Sequence, residues 1–396
     1  MAVAVMLSTL SAAAQKSASP EHWVQAWYSP PFPPTAALGV EDIRIYARQT
    51  VRQVVRLEVG GNHLRVRLTN ELGLTPVKIG AVHVALSSPN GVTEPETDHL
   101  LTFNGRQDAE IPVGQALVSD PVEMTVAAFD DLAISVYYPG RLAPSGHLLT
   151  VRVSAKGDHG AEDLWPGSTM GRGPAVVSGI EVQAPETHHV LVAFGDSITE
   201  GAGATPGTNQ DWPELFARRL ASHGWARDWV VINSGIGGNR LLQEGSGPKA
   251  PDRFDRDVLQ LSGVSAIVLL EGINDIGWAF DPDGDSGPIT AADIEAVDQQ
   301  LIARAHARGI KVYGGTLEPY EGAKYFHPEG EAVRAAVNAW IRTSGAFDGV
   351  IDFEQAVRDP RHPTRYLGAD QSGDSLHPND AGYRAMADAV DPKLLP

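Results

Sequence analysis

The sequence predicts an α/β protein in two parts: an all-β region over residues 20–184, then, over residues 185–396, a parallel sheet with helices on both faces. Three observations support this fold class. A chain of 396 residues is long for one compact core, which favours two domains. Short alternating segments fill the first part, and continuous apolar runs alternate with helical stretches in the second.

The first part contains short segments in which hydrophobic and polar residues alternate. Residues 55–59 and 64–68 are separated by Gly60–His63, and this pattern predicts a hairpin with one buried face. Further segments, divided by Pro and Gly turns, occupy 77–86, 100–103, 122–126, 132–137 and 148–153. Several short strands without a helical period predict a β-sandwich or jelly roll.

The second part contains short apolar runs typical of strands that are buried on both faces. These runs are 190–194, 229–232, 266–270, 310–313 and 350–353, and the helical stretches between and after them are 212–222, 291–307, 329–341 and 379–390. Strands that alternate with helices predict a parallel sheet. In such sheets the functional site lies at the carboxyl ends of the strands.

Charge and composition exclude several classes of partner. The net charge of −18 repels phosphate backbones and anionic membranes, so we expect no nucleic-acid partner. No apolar run after the first residues is long enough to span a bilayer, so we expect no stable membrane anchor. The absence of cysteine excludes disulfides and thiolate nucleophiles. Composition leaves the oligomeric state open.

The N-terminal residues 1–19 resemble an export signal. Met1–Leu10 is apolar, and Ser11–Ala14 offers small residues at which a signal peptide is cleaved. We therefore expect the protein in the periplasm or outside the cell. A disordered Ala/Ser tail is the alternative.

Gly-Asp-Ser occurs three times, at 195–197, 284–286 and 373–375, so the tripeptide alone decides nothing. Residues 284–286 lie in a polar turn without a preceding strand. Ser197 directly follows the buried strand 190–194, where a tight turn into a helix would expose its hydroxyl. Ser197 is therefore the candidate nucleophile, with helix capping as the structural alternative.

A serine hydroxyl needs a base to take its proton and an acid to orient that base. Asp374 and His377 lie three residues apart on a loop ahead of the last helix. This spacing allows the carboxylate to reach one ring nitrogen while the other faces the nucleophile. Ser375 lies between them as a bystander.

Hydrogen-bond donors for a tetrahedral intermediate are expected after two more strands. The glycines of 233–239 allow backbone N–H groups to approach a ligand closely, and Asn274 places a side-chain amide at the same sheet edge. Each signal alone is weak. A nucleophile, two sets of donors and an acid/base pair at one sheet edge together indicate a hydrolase.

Four blocks of the second part resemble the GDSL/SGNH hydrolase family: residues 194–201, 233–239, 272–275 and 374–378. The resemblance extends over about 190–392 and implies a flavodoxin-like three-layer α/β/α domain that hydrolyses esters through an acyl-enzyme, with no cofactor and no metal. By position it implies Ser197 as nucleophile, His377 as base and Asp374 as its acid. It also implies an oxyanion hole made by Ser197, Gly238 and Asn274.

The remaining expectations concern the substrate. Asp196, Arg240, Trp278 and Tyr320 are expected near the site and are candidates for substrate contact, although aromatic rings there could equally pack against loops. The N-terminal region resembles accessory β domains of secreted esterases, which leaves both sugar binding and a shielding role open. The expected activity is removal of short acyl groups, such as acetyl, from a small-molecule or glycan ester. A broad lipid or aryl esterase and an acyltransferase to a sugar hydroxyl remain alternatives.

Overall fold

The computed structural model describes residues 22–34, 45–184, 188–222, 224, 228–284 and 286–395. The predicted export segment, residues 1–19, lies outside the described residues, as do residues 185–187 at the predicted domain boundary. Within the described part of the chain, no helix is both long and apolar enough to cross a membrane.

Antiparallel strands make up most of the region from residue 22 to residue 184. They are β1 (His22–Tyr28), β2 (Tyr46–Arg56), β3 (Gly61–Thr69), β4 (Val77–Ile79), β5 (Ala81–Leu86), β6 (His99–Leu100), β7 (Ala109–Ile111), β8 (Ala116–Val118), β9 (Val122–Val126), β10 (Asp131–Leu142), β11 (His147–Lys156), β12 (Thr169–Ala175) and β13 (Val177–Ala184), with a 3₁₀ turn at Pro95–Thr97. One sheet has the order β1-β13-β3-β8, with β9 also on β3, and another has β12-β11-β2-β10-β5-β6. A small pair, β4-β7, completes the region.

The two larger sheets contribute to one hydrophobic core. Val51 and Val55 of β2 are buried with Val66 of β3 and Ile180 of β13. Along β3 and β9, buried residues alternate with more exposed ones, as the period-two pattern requires. The expectation of an antiparallel β-rich region is confirmed, whereas a jelly-roll connection order stays a prediction.

The predicted hairpin between residues 55–59 and 64–68 is wrong. β2 ends at Arg56 and pairs with β10 and β11, whereas β3 begins at Gly61 and pairs with β13, β8 and β9. The Gly60-Gly61 turn therefore carries the chain from one sheet to the other. Residues 55–59 and 64–68 each bury alternate side chains, and this alternation is the same whether the two segments pair or lie in separate sheets.

Strands and helices alternate from residue 189 onward. The elements are β14 (His189–Gly195), α1 (Ser197–Glu200), α2 (Trp212–Ser222), β15 (Trp229–Gly235), α3 (Ala250–Phe254), a π-helical turn (Asp255–Leu259), β16 (Val264–Leu270), α4 (Ile273–Phe280), α5 (Ala291–His306), β17 (Lys311–Gly315), α6 (Pro328–Thr343), β18 (Gly349–Ile351), α7 (Phe353–Val357), β19 (Arg358–Asp359), β20 (His362–Tyr366), α8 (Asp380–Ala389) and a 3₁₀ turn (Pro392–Leu394).

Five strands of this part form one parallel sheet in the order β15-β14-β16-β17-β18. The predicted parallel sheet is thus confirmed. Residues Val190–Gly195 of β14 are all buried, so both faces of this strand are covered. Because β14 has β15 on one side and β16 on the other, its carboxyl end lies where the strand order reverses. Ligands of doubly wound sheets bind at that position.

The β-rich region packs against the α/β region through several polar contacts. The Tyr28 hydroxyl donates to Asp257 over 2.7 Å, and Ser262 donates to Glu181. Asp257 and Tyr28 are both buried, so their contact belongs to the interior of the molecule. The division at residue 184 into two domains stays a prediction.

Candidate active site

Ser197 is the first residue of α1, and Asp196 alone separates it from the end of β14. The Asp196 carboxylate accepts the Ile198 N–H over 2.9 Å and so caps this short helix. The backbone is tightly enclosed here, because a Cβ at Gly195 would lie 2.2 Å from Thr199 Oγ1. Glycine is therefore required where the strand turns into the helix, and this turn holds the Ser197 hydroxyl at the sheet edge.

Three side chains form a continuous hydrogen-bonded chain at this edge. Ser197 Oγ lies 2.8 Å from His377 Nε2, and His377 Nδ1 lies 2.6 Å from Asp374 Oδ2. Ser197 is 7% exposed, whereas the His377 and Asp374 side chains are 20% and 49% exposed. The hydroxyl therefore has a base within hydrogen-bond distance, and the base has a carboxylate that fixes its tautomer.

Asp374 is held as a carboxylate by its surroundings. Its Oδ1 accepts the N–H groups of Leu376 and His377 over 3.0 and 2.9 Å. Partial burial by itself would raise the Asp374 pKa, but the hydrogen bonds from the His377 ring and from these N–H groups outweigh burial and lower the pKa well below its usual range. Asp374 is therefore a carboxylate at neutral pH and can accept the Nδ1–H of His377.

The second predicted block forms a tight turn beside Ser197. Ile236 donates its N–H to the Gly195 carbonyl, and Asn239 donates its own to the Ile236 carbonyl, each over 3.0 Å. Gly238 has a φ of +74°, in the left-handed region that favours glycine. Gly237 and Gly238 both line the cavity next to Ser197. We refer to residues 236–239 as the oxyanion turn, after the role that the family resemblance implies for Gly238.

Asn274 lies in the first turn of α4, after β16, and lines the same cavity. Its Nδ2 donates to the Asn239 carbonyl over 3.0 Å and lies 3.4 Å from Asp196 Oδ2. Its Oδ1 accepts from the Tyr325 hydroxyl over 3.2 Å. The orientation of this amide is therefore fixed from both ends, with its nitrogen beside the oxyanion turn.

Arg253 is a buried residue that the sequence analysis did not select. It donates to the carbonyl oxygens of Gly195 and Ser234, each over 2.9 Å, and to Asn239 Oδ1 over 2.7 Å. It therefore ties the ends of β14 and β15 to the oxyanion turn. An arginine inside a short helix gives no local sign of such distant partners, so sequence patterns could not reveal this role.

A cavity of about 820 Å³ opens over these side chains. From the α/β region it is lined by Ser197, His377, Trp278 and Tyr325, among others. Its other wall comes from the β-rich region and includes Trp27, Phe32, His147, Thr150 and Arg172. The two regions thus enclose one cavity together.

Three residues expected to contact substrate lie outside the cavity lining. Asp196 is 1% exposed and caps α1, and burial raises its pKa to about 7. Arg240 lies 5.9 Å from the Trp278 ring and donates to Ser286. Tyr320 is buried behind Tyr325, with ring centres 6.1 Å apart. Trp278 does line the cavity, and Tyr325 takes the place expected for Tyr320.

The two other Gly-Asp-Ser serines lie apart from the cavity lining. Ser375 has a φ of +61° and donates its N–H to Gln371, and Ser286 accepts from Arg240. Within the described residues, no group of three or more His, Cys, Asp or Glu side chains is arranged to hold a metal ion. The absence of a cofactor stays a prediction.

Residues 193–385 match the model of the GDSL-like Lipase/Acylhydrolase family. This segment is a GDSL-like acylhydrolase domain. The match contains Ser197, the oxyanion turn, Asn274, Asp374 and His377, so the resemblance found in the sequence is confirmed. The chain is accordingly a carboxylic ester hydrolase. No curated protein matches it.

Solved structures similar to the GDSL domain include several esterases. A catalytic mutant of an acetylxylan esterase from Geobacillus stearothermophilus is 20% identical, covers 51% of this chain and 91% of its own, and has a TM-score of 0.39. An α/β hydrolase from the Lake Arreo metagenome is 22% identical, and the alignment covers 51% of this chain and 92% of the hydrolase, with a TM-score of 0.40. A GDSL-like lipase from Bacteroides thetaiotaomicron is 18% identical, and the alignment covers 52% of this chain and 87% of the lipase, with a TM-score of 0.37. At these values the likenesses carry no argument about the substrate.

Proposed function

We propose that the GDSL domain removes short acyl groups, such as acetyl, from a polyhydroxylated acceptor through an acyl-enzyme on Ser197. The observation that carries this proposal is the hydrogen-bonded chain from Ser197 through His377 to Asp374 at the floor of the cavity. A hydroxyl, an imidazole and a carboxylate in this order are the parts that nucleophilic acyl transfer needs.

In the first step, His377 Nε2 takes the Ser197 proton while Oγ bonds to the ester carbonyl carbon. Asp374 holds the Nδ1 proton and stabilises the imidazolium that forms. The carbonyl oxygen becomes an oxyanion, which receives hydrogen bonds from the N–H groups of Ser197 and Gly238. It also receives the second Nδ2–H of Asn274, which otherwise points to Asp196 at 3.4 Å. Collapse of this intermediate breaks the ester C–O bond, and His377 returns the proton to the leaving alcohol.

In the second step, water replaces the alcohol. His377 takes a proton from the water, whose oxygen bonds to the acyl carbon and regenerates the oxyanion in the same hole. Collapse releases the carboxylic acid and restores the Ser197 hydroxyl. A low-dielectric cavity strengthens each of these hydrogen bonds in the transition state.

Two walls of the cavity support the proposed substrate class. The rings of Trp278 and Tyr325 pack edge to face with centres 5.4 Å apart, and both line the cavity together with Asn274. From the β-rich region, Thr150 and Arg172 contribute polar groups and Trp27 and Phe32 contribute aromatic rings to the lining of the same cavity. Aromatic faces next to hydrogen-bonding groups suit a sugar ring.

A chain-length series tests the proposal. We would compare kcat/KM for p-nitrophenyl esters from acetate to decanoate, and measure acetate release from acetylated oligosaccharides. We expect the highest kcat/KM for the acetate and propionate esters. We expect Trp278→Ala to shift the chain length of highest kcat/KM towards longer acyl groups. An optimum at eight carbons or more in the wild type would exclude the short-acyl assignment.

The nucleophile needs its own test. A phosphonate ester labels the activated serine of such hydrolases covalently, and mass spectrometry locates the label. We expect it on the peptide containing Ser197 in the wild type and in Ser375→Ala. A label that persisted in Ser197→Ala would assign the nucleophile elsewhere.

For the rest of the chain we propose an exported protein whose residues 20–184 form an accessory domain that walls the cavity. The polar contacts between Tyr28 and Asp257, and between Glu181 and Ser262, support the second part of this proposal. Fractionation of cells that express the complete gene would test export.

A further inference from the structure

Glu200 joins the two regions of the chain next to the nucleophile. It is the last residue of α1, three positions after Ser197. Its Oε1 lies 2.9 Å from His147 Nε2, on β11, and 3.3 Å from Arg172 Nη2, on β12. All three side chains line the cavity. The helix that begins with Ser197 therefore ends on an ion pair with the β-rich region.

The His147 ring is held on both of its nitrogens. Nδ1 lies 2.9 Å from the Pro30 carbonyl oxygen, and the ring packs edge-on against Phe32 with centres 6.0 Å apart. Pro30 and Glu200 both present acceptors, so both hydrogen bonds form only when each nitrogen carries a proton. The ring orientation is thus fixed by Pro30, with Nε2 directed at the Glu200 carboxylate, and hydrogen bonds to a carboxylate are strong and directional.

Glu200 is correspondingly held as a carboxylate. Burial by itself would raise the Glu200 pKa, but the hydrogen bond and charge of His147, together with the charge of Arg172 and the Gly237 N–H, lower the pKa below its usual value. Glu200 therefore presents a carboxylate to both His147 and Arg172.

The other oxygen of Glu200 lies against the oxyanion turn. A Cβ added at Gly237 would come within 2.5 Å of Glu200 Oε2 and 3.9 Å of the Ser197 Cβ. Gly237 thus lies between the Glu200 carboxylate and the nucleophile. Its carbonyl carbon is bonded to the Gly238 nitrogen, so the position of Gly237 sets the direction of the Gly238 N–H.

We propose that His147 is a positioning residue for ester cleavage: through Glu200 it holds Gly237 so that the Gly238 N–H is aimed at the oxyanion. The inference rests on the proposed function of the oxyanion turn. It makes the β-rich region part of the apparatus that stabilises the transition state, in addition to its place in the cavity wall.

This role differs from direct substrate contact in a measurable way. A residue that binds the leaving alcohol affects KM and affects different alcohols differently. A residue that aims an oxyanion donor lowers kcat by a similar factor for every ester, because every tetrahedral intermediate has the same oxygen. We therefore compare p-nitrophenyl acetate with an acetylated sugar.

The test uses the full chain with Glu200→Gln, His147→Ala, His147→Gln and the double variant Glu200→Gln/His147→Ala. The matched control is Ser262→Ala, which removes the hydrogen bond to Glu181 between the same two regions but lies outside the cavity lining. For each protein we would measure kcat and KM on both esters, the inhibition constant of a trifluoromethyl ketone that mimics the tetrahedral intermediate, and Tm.

We expect kcat to fall about tenfold in Glu200→Gln and His147→Ala, less than the 10²–10³-fold loss of a whole oxyanion donor. KM should change less than about twofold, and the trifluoromethyl ketone should bind correspondingly more weakly. His147→Gln should recover part of kcat, since its amide N–H can donate to Glu200. The kcat of the double variant should be close to that of either single variant, because both substitutions act through one contact. Ser262→Ala should retain wild-type kcat.

Additive losses in the double variant, a change confined to KM, or unequal losses on the two esters would overturn the proposal. A kcat loss in Ser262→Ala of the same size would also overturn it, because docking in general would then be responsible. If His147→Ala fails to fold, the isosteric Glu200→Gln carries the test. Full activity of Ser197→Ala would instead refute the proposed function, and this outcome is separate from all of the above.

Discussion

The side chain of Asn274 donates a hydrogen bond to the main-chain carbonyl of Asn239 over 3.0 Å. Asn274 follows β16 and Asn239 ends the oxyanion turn after β15, so this bond links two loops that leave different strands. Because β14 lies between these strands, the bond passes over the end of β14, which leads into Ser197. The relative position of two proposed oxyanion donors is therefore set by a direct contact.

We expect Asn274→Ala to lower kcat by about 10²–10³-fold with little change in KM, since a donor to the oxyanion acts in the transition state. Tyr325→Phe removes only the hydrogen bond to Asn274 Oδ1, so kcat should fall less in this variant, about three- to tenfold. Steady-state kinetics on p-nitrophenyl acetate give both values. A change confined to KM would place Asn274 in ordinary substrate binding.

We expect Ser197→Ala to lower kcat by about 10³–10⁶-fold without loss of folding, because the nucleophile, base and acid act as a unit. Ser375→Ala and Ser286→Ala are controls within the same tripeptide and should change kcat by less than about threefold. Circular dichroism and Tm would establish that each variant is folded. Inactivity of Ser375→Ala alone would disprove the assignment of the nucleophile.

We expect Asp374→Asn to lower kcat/KM by about 10²–10⁴-fold, because an amide can hold the wrong tautomer of the His377 ring. The kcat/KM of the wild type should fall at acid pH, because a general base must be unprotonated to accept the Ser197 proton. The lowered pKa of Asp374 keeps that carboxylate ionised over this range, so loss of the Asp374 charge does not cause the fall. Profiles from pH 4.5 to 9 measure both effects. Asp370→Asn, on the same loop, is the control and should retain the wild-type profile.

Glu318 gives a prediction about stability. Burial raises its pKa to about 8 from an ordinary value of 4.5, with a further contribution from the charge of Asp196. Between these pH values the folded protein holds a proton that the unfolded chain has released, so stability falls as pH rises. Glu318→Gln does not titrate. Its Tm relative to the wild type should therefore increase from pH 5 to pH 8.

Thermal unfolding at both pH values, followed by circular dichroism, measures this difference. The exposed Glu96→Gln serves as the control, and its Tm relative to the wild type should not change with pH. A Tm difference for Glu318→Gln that is the same at pH 5 and pH 8 would show that Glu318 is ionised in the folded protein.

Activity should survive treatment with EDTA, because Ser197 and His377 supply an activated nucleophile without a Lewis acid. The measurement is kcat before and after dialysis against the chelator. Loss of turnover that one added divalent ion restores would contradict the proposed mechanism.

Sequence patterns located the proposed active site because its parts follow buried strands. The apolar run 190–194 became β14, and Ser197 follows it directly; the helical stretch 212–222 became α2 without change. Local periodicity reports which face of a strand is buried but not which strand lies beside it. The predicted hairpin before Leu64 therefore became a crossing between two sheets.

Contacts between distant loops had no local signal. Tyr320 and Tyr325 lie in one loop, and only the path of that loop decides that the second ring lines the cavity. The contact of His147 with Glu200 joins residues 53 positions apart in different regions. Such contacts depend on how whole regions pack. A hydrophobic period of two or 3.6 residues in the sequence describes only one strand or helix at a time.

Strand β1 is the first described strand of the chain, and its partner β13 is the last strand of the β-rich region. During synthesis, residues 22–28 therefore leave the ribosome long before their partner at 177–184 exists. Pairings between such distant segments form slowly, and an unpaired strand edge can associate with other chains. We expect newly made chains to depend on a chaperone until residue 184 has emerged, and we expect loss of β1 to leave β13 as an exposed edge in the finished protein.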